Sequence, residues 1–346
     1  MEVFTMKKNN MKKLLAAALS LALSLSLTAC GGGNSSGSAP SAGSADGDAL
    51  KIAVVKQMDH ASLDEIANAI TARLDEISKK QGVAIQYEVH SGQDGSQDLL
   101  NQIGAQVVAD GVDAIIPIAT TAAKLMTVAA EETKTPVIFS AISDPETAEL
   151  TGIDYVTGVS DALNTQFILD MMLAQNPDVG TVGLLYSLSE DNSAKPIAEA
   201  KAYLEAKGIP YVEATGNTID EVISAVSTLK GQVDAVFTPT DNNIMKAELA
   251  IAPTFIEMGV PHYTGADSFV RNGAFTTCGV NYTDLGHQTA DLAYEALTQG
   301  MDGLEDYYLM EGGIITVNTE TAAALEIDYS VFQSMGQVVE VITTED

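Results

Sequence analysis

The chain has 346 residues, 46% of them hydrophobic, which is enough for two ordinary domains with cores of their own. Its 47 aspartates and glutamates against 17 lysines and arginines give a formal net charge of -30. A surface this acidic repels phosphates, so nucleic acid is not an expected partner. The acids are spread among apolar residues, which indicates a negatively charged globular body.

The first segment, residues 1–29, is predicted to be a targeting signal. "MKKNNMKK" supplies positive charge, "LLAAALSLALSLSL" an apolar core, and "LTAC" ends the segment at Cys30. This order resembles a bacterial lipoprotein signal and predicts a mature chain that begins at Cys30 carrying diacylglycerol. An ordinary secretory signal, or a membrane helix that contains a cysteine, is the alternative. The sequence leaves the start at Met1, Met6 or Met11 open.

Residues 30–48 follow as the lipidated cysteine and a flexible tether. "GGGNSSGSAPSAGSADGD" has no hydrophobic pattern and is expected to span about 20–25 Å. Its match to the hydrolase pattern G-x-S-x-G has neither the strand before it nor the helix after it that the pattern requires. The tether therefore indicates no enzyme.

The remaining cysteine and the histidines suggest no disulfide, metal site or cofactor. With Cys30 lipidated, Cys278 has no partner, and its place in "AFTTCGV" predicts a small buried residue in a strand. The histidines lack the spacing of metal ligands. They are His60, His90, His262 and His287.

From Ala49 onward, helical patterns end at glycine and apolar β-rich runs follow at once, as in "KKQG" into "VAIQYEV", "VADG" into "VDAII", "EAKG" into "IPYVEA" and "IEMG" into "VPHYTG". "SLDEIANAITARLDEI" predicts an amphipathic helix with a Ser62/Glu65 capping box. Its apolar face is Leu63, Ile66, Ile70, Leu74 and Ile77. Strands that alternate with helices in this way predict parallel sheets covered on both faces.

This alternation occurs twice, which predicts two similar α/β lobes. "VDAIIPIATTAA" in the first half and "VDAVFTPTDNN" in the second each run a buried strand into small hydrogen-bonding residues. Parallel sheets bind ligands beyond the carboxyl ends of their strands. The two polar clusters are therefore expected to face each other across one cleft.

Seven ordered segments between Lys51 and Val317 resemble the substrate-binding lipoproteins of ABC importers, in the family typified by tryptophan- and tyrosine-type binding proteins. They are "QMDHASLDE", "IATTAA", "FSAISDP", "VTGVSDA", "YSLSEDNS", "PTDNN" and "GADSFVRNGAFTTCGVNYTDLGHQTA". The family usually has proline after the histidine, whereas Ala61 follows His60 here. That departure leaves the conformation of the turn before the first helix undetermined, but it does not affect the predicted fold.

The resemblance implies a type I periplasmic-binding-protein fold: two Rossmann-like parallel-sheet lobes joined by a three-strand hinge that closes on a solute. Crossings are expected near Ser160/Asp161, Val280/Asn281 and Glu305. The first lobe would be 49–160 plus 281–305 and the second 161–280 plus 306–340, with 341–346 as a tail.

The predicted site residues of the first lobe follow the ends of its strands. His60 either hydrogen-bonds a solute or caps the turn before its helix. Ala119 and Thr120 stand where a helix begins, and its first N–H groups suit a carboxylate, although Thr120 could be only an N-cap. Ser143 and Asp144 follow the next strand, and Asp144 alternatively shapes the turn into the following proline.

The second lobe supplies more polar residues at the ends of its strands. The resemblance favours Asn192 and Ser193, whereas Glu190 is alternatively a solvated surface charge. A carboxylate in a closed cleft must be paired, so Asp267 is predicted to bind a ligand ammonium, with a structural turn role as the alternative. The predicted residues are Glu190, Asn192, Ser193, Thr240, Asp241, Asn242, Asp267 and Ser268.

These side chains suit a zwitterion such as an α-amino acid. The resemblance implies an aromatic or related amino acid, with Tyr155, Phe139 or Tyr282 as candidates to stack on it. A carboxylate, nucleoside or sugar is the alternative solute. No catalytic pattern is present, so an enzyme or a transcriptional regulator on the same fold is not expected. The predicted protein is a monomer, lipid-anchored on the extracytoplasmic face and partnered by an ABC permease.

Overall fold

The computed structural model describes residues 49–344. The predicted signal segment 1–29, the lipidation site Cys30 and the tether up to residue 48 lie outside this range. None of the helices within 49–344 combines the length and the apolar character that a membrane crossing requires.

Thirteen strands and ten α-helices make up the described chain. In chain order the strands are β1 (Leu50–Lys56), β2 (Ile85–Ser91), β3 (Ala114–Ile118), β4 (Val137–Ser140), β5 (Val156–Ser160), β6 (Val182–Tyr186), β7 (Tyr211–Thr215), β8 (Ala235–Thr238), β9 (His262–Thr264), β10 (Thr276–Gly279), β11 (Tyr308–Leu309), β12 (Ile314–Asn318) and β13 (Gln337–Val341). The helices are α1 (Ala61–Gln81), α2 (Gln97–Ala109), α3 (Thr120–Ala129), α4 (Thr165–Gln175), α5 (Asp191–Lys207), α6 (Ile219–Thr228), α7 (Asn242–Met258), α8 (Asp267–Arg271), α9 (Tyr282–Gln299) and α10 (Thr319–Ala324).

The strands form two sheets. The first has the order β11-β5-β4-β3-β1-β2, and all its pairings are parallel. The second has the order β13-β12-β10-β9-β8-β6-β7 and is parallel except between β10 and β12. Strands such as β3, β4, β6 and β8 are buried throughout, as sheets covered on both faces require. The predicted fold class, two parallel-sheet α/β lobes, is confirmed.

Helix α1 shows how the apolar spacing produces the packing. Its five predicted apolar residues recur every three or four positions and are all buried. The helix ends at Gly82, whose φ of 68° is the left-handed conformation that glycine adopts without strain. Its start differs from the prediction: α1 begins at Ala61 with His60 as N-cap and no side-chain cap. The capping box is wrong because the Ser62 and Glu65 side chains bond to Ser268 and Thr283 instead.

The chain passes between the two sheets three times. The first passage follows β5, which ends at Ser160, and the second follows β10, which ends at Gly279. The third lies between β11 and β12, a few residues beyond Glu305, because Tyr308 and Leu309 still pair with β5. Thr344, the last described residue, packs on the second lobe, where its backbone N–H donates a 2.8 Å hydrogen bond to the Arg271 carbonyl. The residue bounds of the lobes stay a prediction.

Candidate functional site

The carboxyl ends of the two sheets enclose a small cavity. Its volume is about 20 Å³, room for roughly one water molecule. The lobes must therefore separate before a larger solute can enter. The lining residues are His60, Ser62, Leu63, Ala119, Thr120, Ala141, Ser143 and Asp161 near the first sheet, Asn192, Thr240, Asp241, Asn242, Met245, Ala266 and Phe269 near the second, and Tyr282 at the start of α9.

The structure brings most of the predicted site residues to this cavity. Those of the first lobe follow the ends of β1, β3 and β4, and those of the second lobe lie at the starts of α5 and α7. That these residues contact a solute stays a prediction. The predicted residues in the lining are His60, Ala119, Thr120, Ser143, Asn192, Thr240, Asp241 and Asn242.

Three other predicted residues, Glu190, Ser193 and Ser268, are buried outside the lining. Ser193 donates a 2.7 Å hydrogen bond to Asp241. The Ser268 hydroxyl lies 2.5 Å from that of Ser62 and so joins the two lobes. Both serines support residues that line the cavity.

The last two predicted residues, Asp144 and Asp267, already have partners outside the lining. Asp144 accepts from Thr147 and lies 3.6 Å from the ammonium of Lys195 in the second lobe. Asp267 accepts a 3.2 Å bond from the Arg271 guanidinium. A ligand ammonium would have to compete with that guanidinium for Oδ2, whereas Oδ1 of Asp267 is buried without a hydrogen-bond partner among the described residues. Asp267 does not line the cavity, so its predicted role stays a prediction.

Asp161 is the acid that the sequence interpretation did not select. It follows β5 directly, lines the cavity and is only 5% exposed. Its two oxygens accept from the Ser143 hydroxyl at 3.0 Å and the Tyr282 hydroxyl at 3.2 Å. Burial raises the pKa of its carboxyl, against the lowering effect of these two hydroxyls. None of the ion pairs within residues 49–344 involves Asp161, so its charge is uncompensated by a basic side chain.

Asp241 also lines the cavity but serves the fold of its own lobe. It is the N-cap of α7 and accepts from the backbone N–H groups of Ser187 at 2.7 Å and Ile244 at 3.0 Å. The Ser193 hydroxyl is its third donor. These bonds join the ends of β6 and β8 to the start of α7 and fix the second wall of the cavity.

A chain of side-chain hydrogen bonds crosses the cleft twice. Gln57 of the first lobe accepts from the Thr121 backbone N–H at 2.9 Å and donates to Glu190 of the second lobe at 2.8 Å. Glu190 also accepts from Asn242 at 2.6 Å. The amide oxygen of Asn242 lies 3.0 Å from Nε2 of His60, back in the first lobe. Because an amide oxygen only accepts, Nε2 carries the proton and donates.

Two members of this chain have strongly shifted pKa values. Burial, with the nearby charge of Asp241, raises the pKa of Glu190 to about 8. Burial lowers the pKa of His60 to about 4. In this closed arrangement His60 is therefore neutral at pH 7. Its Nδ1 atom is a buried acceptor with no partner among the described residues.

Backbone strain marks the first lobe's wall of the cavity. Ala119 has φ 74° and ψ 161°, a region that non-glycine residues rarely occupy. Ala141, after β4, has φ 57°. Such conformations cost about 1–3 kcal/mol each and persist where the surroundings impose them. An alanine in the sequence gives no indication that its backbone will adopt such a conformation.

Aromatic walls come from Tyr282 and Phe269. The sequence interpretation named Tyr282 but missed Phe269, which lies in "ADSFV" next to polar residues that were selected. The other two stacking candidates are in the core: Phe139 is fully buried, and the Tyr155 hydroxyl donates to the Thr127 carbonyl. Tyr155 and Phe139 are therefore packing residues of the first lobe.

Comparison with known proteins identifies a family. The model of the family "ABC transporter substrate binding protein" matches residues 51–334. The tyrosine-binding protein of Clostridioides difficile is 27% identical over 281 residues, which cover 80% of this chain and 81% of that protein.

Solved structures agree in fold. The ABC domain from Streptococcus pneumonia in complex with L-Trp is 30% identical, with a TM-score of 0.75 over 83% of this chain and all of that one. A substrate binding protein with adhesive properties from Clostridium difficile, in its ligand-free, open form, is 25% identical, with a TM-score of 0.64 over 85% of this chain and all of that one.

Family membership also gives the protein its setting. A substrate-binding component of an ABC importer works on the extracytoplasmic side of the membrane and presents a small molecule to a permease. The match spans both sheets except for β13, and it includes all the strand ends that line the cavity. This chain belongs to the family of ABC transporter substrate binding proteins.

Proposed function

We propose that this protein closes its lobes around an aromatic amino acid and delivers it, chemically unchanged, to an ABC permease. The observation that carries the proposal is Asp161, a buried carboxylate on the cavity wall whose hydrogen-bond donors are both neutral hydroxyls. A buried charge is costly unless it is paired. A solute ammonium supplies that pair.

The start of α3 provides the opposite half of a zwitterion site. The first N–H groups of a helix have no acceptor within the helix and favour an anion. The Gln57 side chain already accepts from the Thr121 N–H. The neighbouring N–H groups of the first turn of α3 remain for the solute carboxylate. The hydroxyls of Ser143 and Thr240 are 3.1 Å apart across the cleft. Ser143 donates its proton to Asp161, so the Thr240 hydroxyl is the one that can rotate and donate to the carboxylate.

The side chain of the solute would pack against Phe269, Tyr282 and Met245. These residues suit an aromatic ring, because aromatic pairs and sulfur–aromatic contacts add to the burial of apolar surface. Nδ1 of His60 is a free buried acceptor and suits a phenol or indole N–H. The relatives that bind tyrosine and L-Trp support this choice of solute.

The remaining parts of the proposal concern the setting of the protein. Cys30 would carry the lipid anchor, and residues 31–48 would tether the monomeric receptor to the outer face of the membrane. No step of chemistry is assigned to the cleft. The solute recovered after prolonged incubation is expected to have an unchanged mass.

Calorimetric titration with matched ligands tests the proposal. L-tyrosine, L-tryptophan and L-phenylalanine are expected to bind, whereas N-acetyl-L-tyrosine, which lacks the ammonium, and tyramine, which lacks the carboxylate, are expected to bind far more weakly. A ligand at 100 times its Kd raises the free energy of unfolding by about 2.7 kcal/mol, which thermal denaturation detects. Tight binding of a sugar or nucleoside, with no binding of these amino acids, would overturn the proposal.

A further inference from the structure

A second pocket lies where the three passages between the sheets meet. Its volume is about 430 Å³, within the range of small-molecule sites in proteins. It is lined by residues of 161–164, 278–282 and 309–313, so every passage contributes. We call it the hinge pocket.

The lining of the hinge pocket indicates the class of molecule that it would accept. Its walls are largely apolar, with Leu163, Phe167, Met310 and Met335 among them. No lysine or arginine is among its lining residues, and the buried carboxyl of Asp161 disfavours an anion there. A small, uncharged, apolar molecule fits these walls.

The hinge pocket and the solute cavity share two walls. Asp161 and Tyr282 line both, and a 3.2 Å hydrogen bond joins their side chains. Asp161 belongs to the first passage and Tyr282 to the second. A molecule in the hinge pocket therefore touches the side chains that we assign to the solute.

We propose that the hinge pocket is a second binding site, for a small uncharged apolar molecule, and that its occupancy changes the affinity of the cleft for solute. The coupling rests on the proposed function, because it requires lobes that open and close. When the lobes rotate, the passages that form the walls of the pocket must change their backbone angles. A molecule bound there has different contacts in the two states and shifts their populations.

Gly312 offers a way to block the pocket. A Cβ added there would lie 3.5 Å from the Gly279 carbonyl oxygen, an ordinary contact, and the residue has no positive φ. Gly312→Leu therefore places a side chain at the wall without a backbone clash. Glu311→Leu is the matched control, since it adds the same side chain at an exposed neighbour outside the lining.

The probe is cyclohexanol, which has neither the ammonium nor the carboxylate that the cleft would bind. Titration calorimetry measures the Kd of L-tyrosine with and without saturating cyclohexanol in three proteins: wild type, Gly312→Leu and Glu311→Leu. We expect cyclohexanol to change that Kd by about 5-fold or more in wild type and Glu311→Leu, and to leave it unchanged in Gly312→Leu. Reciprocity requires L-tyrosine to change the cyclohexanol affinity by the same factor.

Three results would overturn the inference: an unchanged Kd in wild type, an equal change in all three proteins, or competition of cyclohexanol with L-tyrosine for one site. Thermal denaturation with cyclohexanol alone separates this inference from the proposed function. A cyclohexanol-dependent rise in Tm that Gly312→Leu abolishes would establish the hinge pocket even if no amino acid bound. Failure of the amino acids to bind wild type would then overturn the proposed function and the coupling, but not the pocket.

Discussion

The carboxyl edges of the two sheets have similar sequences, short buried strands that run into serine, threonine, aspartate and asparagine, yet their acids are held differently. Asp161 of the first lobe accepts from two side-chain hydroxyls. Asp241 of the second lobe accepts from two backbone N–H groups and the Ser193 hydroxyl. Hydroxyls can rotate to new partners, whereas backbone donors fix an acid in the fold. The carboxyl edge of the first sheet is therefore suited to bind a solute, and that of the second sheet to support the cavity wall.

The backbone shows the same difference. The two cavity-lining residues with positive φ and a side chain, Ala119 and Ala141, both belong to the first lobe. The second lobe begins its helices α5 and α7 at extended residues, Glu190 and Asp241. Strain is concentrated on the side that presents N–H and hydroxyl groups to the cavity.

The largest effect is expected from Asp161→Asn. Loss of one partner of a buried charge pair costs about 2–5 kcal/mol, so the Kd of L-tyrosine should rise by at least about 30-fold. The fold should survive, because burial already disfavours the ionised carboxyl. Titration calorimetry measures the change. Asp267→Asn is the matched control and should alter the Kd by only a few-fold, since Arg271 is its partner; the reverse ranking would restore Asp267 as the ammonium site.

Asp241→Ala should lower stability more than any other single change at the second edge. It removes an N-cap, worth about 0.5–2 kcal/mol, and leaves buried donors of Ser187 and Ser193 unpaired, at about 1–3 kcal/mol. The free energy of unfolding in urea should fall by about 2–4 kcal/mol. Asp98→Ala, an exposed first-turn residue of α2, is the control and should cost under about 1 kcal/mol. Equal losses would mean that Asp241 is not the support that its bonds indicate.

The sequence predicted the fold more fully than the site, because the two depend on different distances along the chain. Helix ends at Gly82, Gly208 and Gly259 depend on local φ, and all three have the expected left-handed conformation. The resemblance then supplied the two-lobe architecture. The residues that directly follow each strand could also be identified from the local sequence pattern.

The direction in which a side chain points could not be predicted from the sequence, because contacts with the opposite lobe determine it. Ser62 looked like a helix cap but bonds to Ser268, more than two hundred residues away. Glu190 looked like a surface charge but lies between Gln57 and Asn242. Asp161 was assigned to the crossing and not to the site, although it stands in a segment that carried the resemblance. A rule that acids directly after a buried strand face the cleft would have found it.

The bonds across the cleft predict that solute affinity depends on pH. In the closed arrangement burial raises the pKa of Glu190 from 4.5 to about 8. We expect opening of the lobes to expose this carboxyl and return its pKa toward 4.5, so that closing takes up a proton and is favoured as pH falls from about 8 toward 4.5. In the same arrangement burial lowers the pKa of His60 from 6.5 to about 4. We expect opening to return this pKa toward 6.5, so that closing releases a proton and is disfavoured as pH falls from 6.5 toward 4. The two effects oppose each other between 4.5 and 6.5.

Affinity for L-tyrosine should therefore weaken as pH rises from 6.5 to 8, by at most about 10-fold per unit. Calorimetric titrations at several pH values measure this dependence. Glu190→Gln should flatten the range above pH 6.5 and leave His60 to weaken binding at low pH. A Kd that rises just as steeply in Glu190→Gln would show that Glu190 does not carry the proton.

The smallest expected effect concerns ion pairs at the rim of the cleft. Lys124 lies 2.7 Å from Asp191 of the opposite lobe, and both side chains are exposed, so the pair is worth about 0.2–1 kcal/mol. Lys124→Gln should raise the Kd of L-tyrosine by about 1.4- to 5-fold at low salt. Lys134→Gln removes the same charge from a pair with Asp154 inside the first lobe and should leave the Kd unchanged. Salt also screens the mutual repulsion of the two lobes, because both are acidic. The effect of the ion pair is therefore isolated by the ratio of the Kd values of the two variants. That ratio should approach 1 near 1 M salt, where the Debye length is about 3 Å; a ratio that stayed constant would show that Lys124 acts by packing and not by charge.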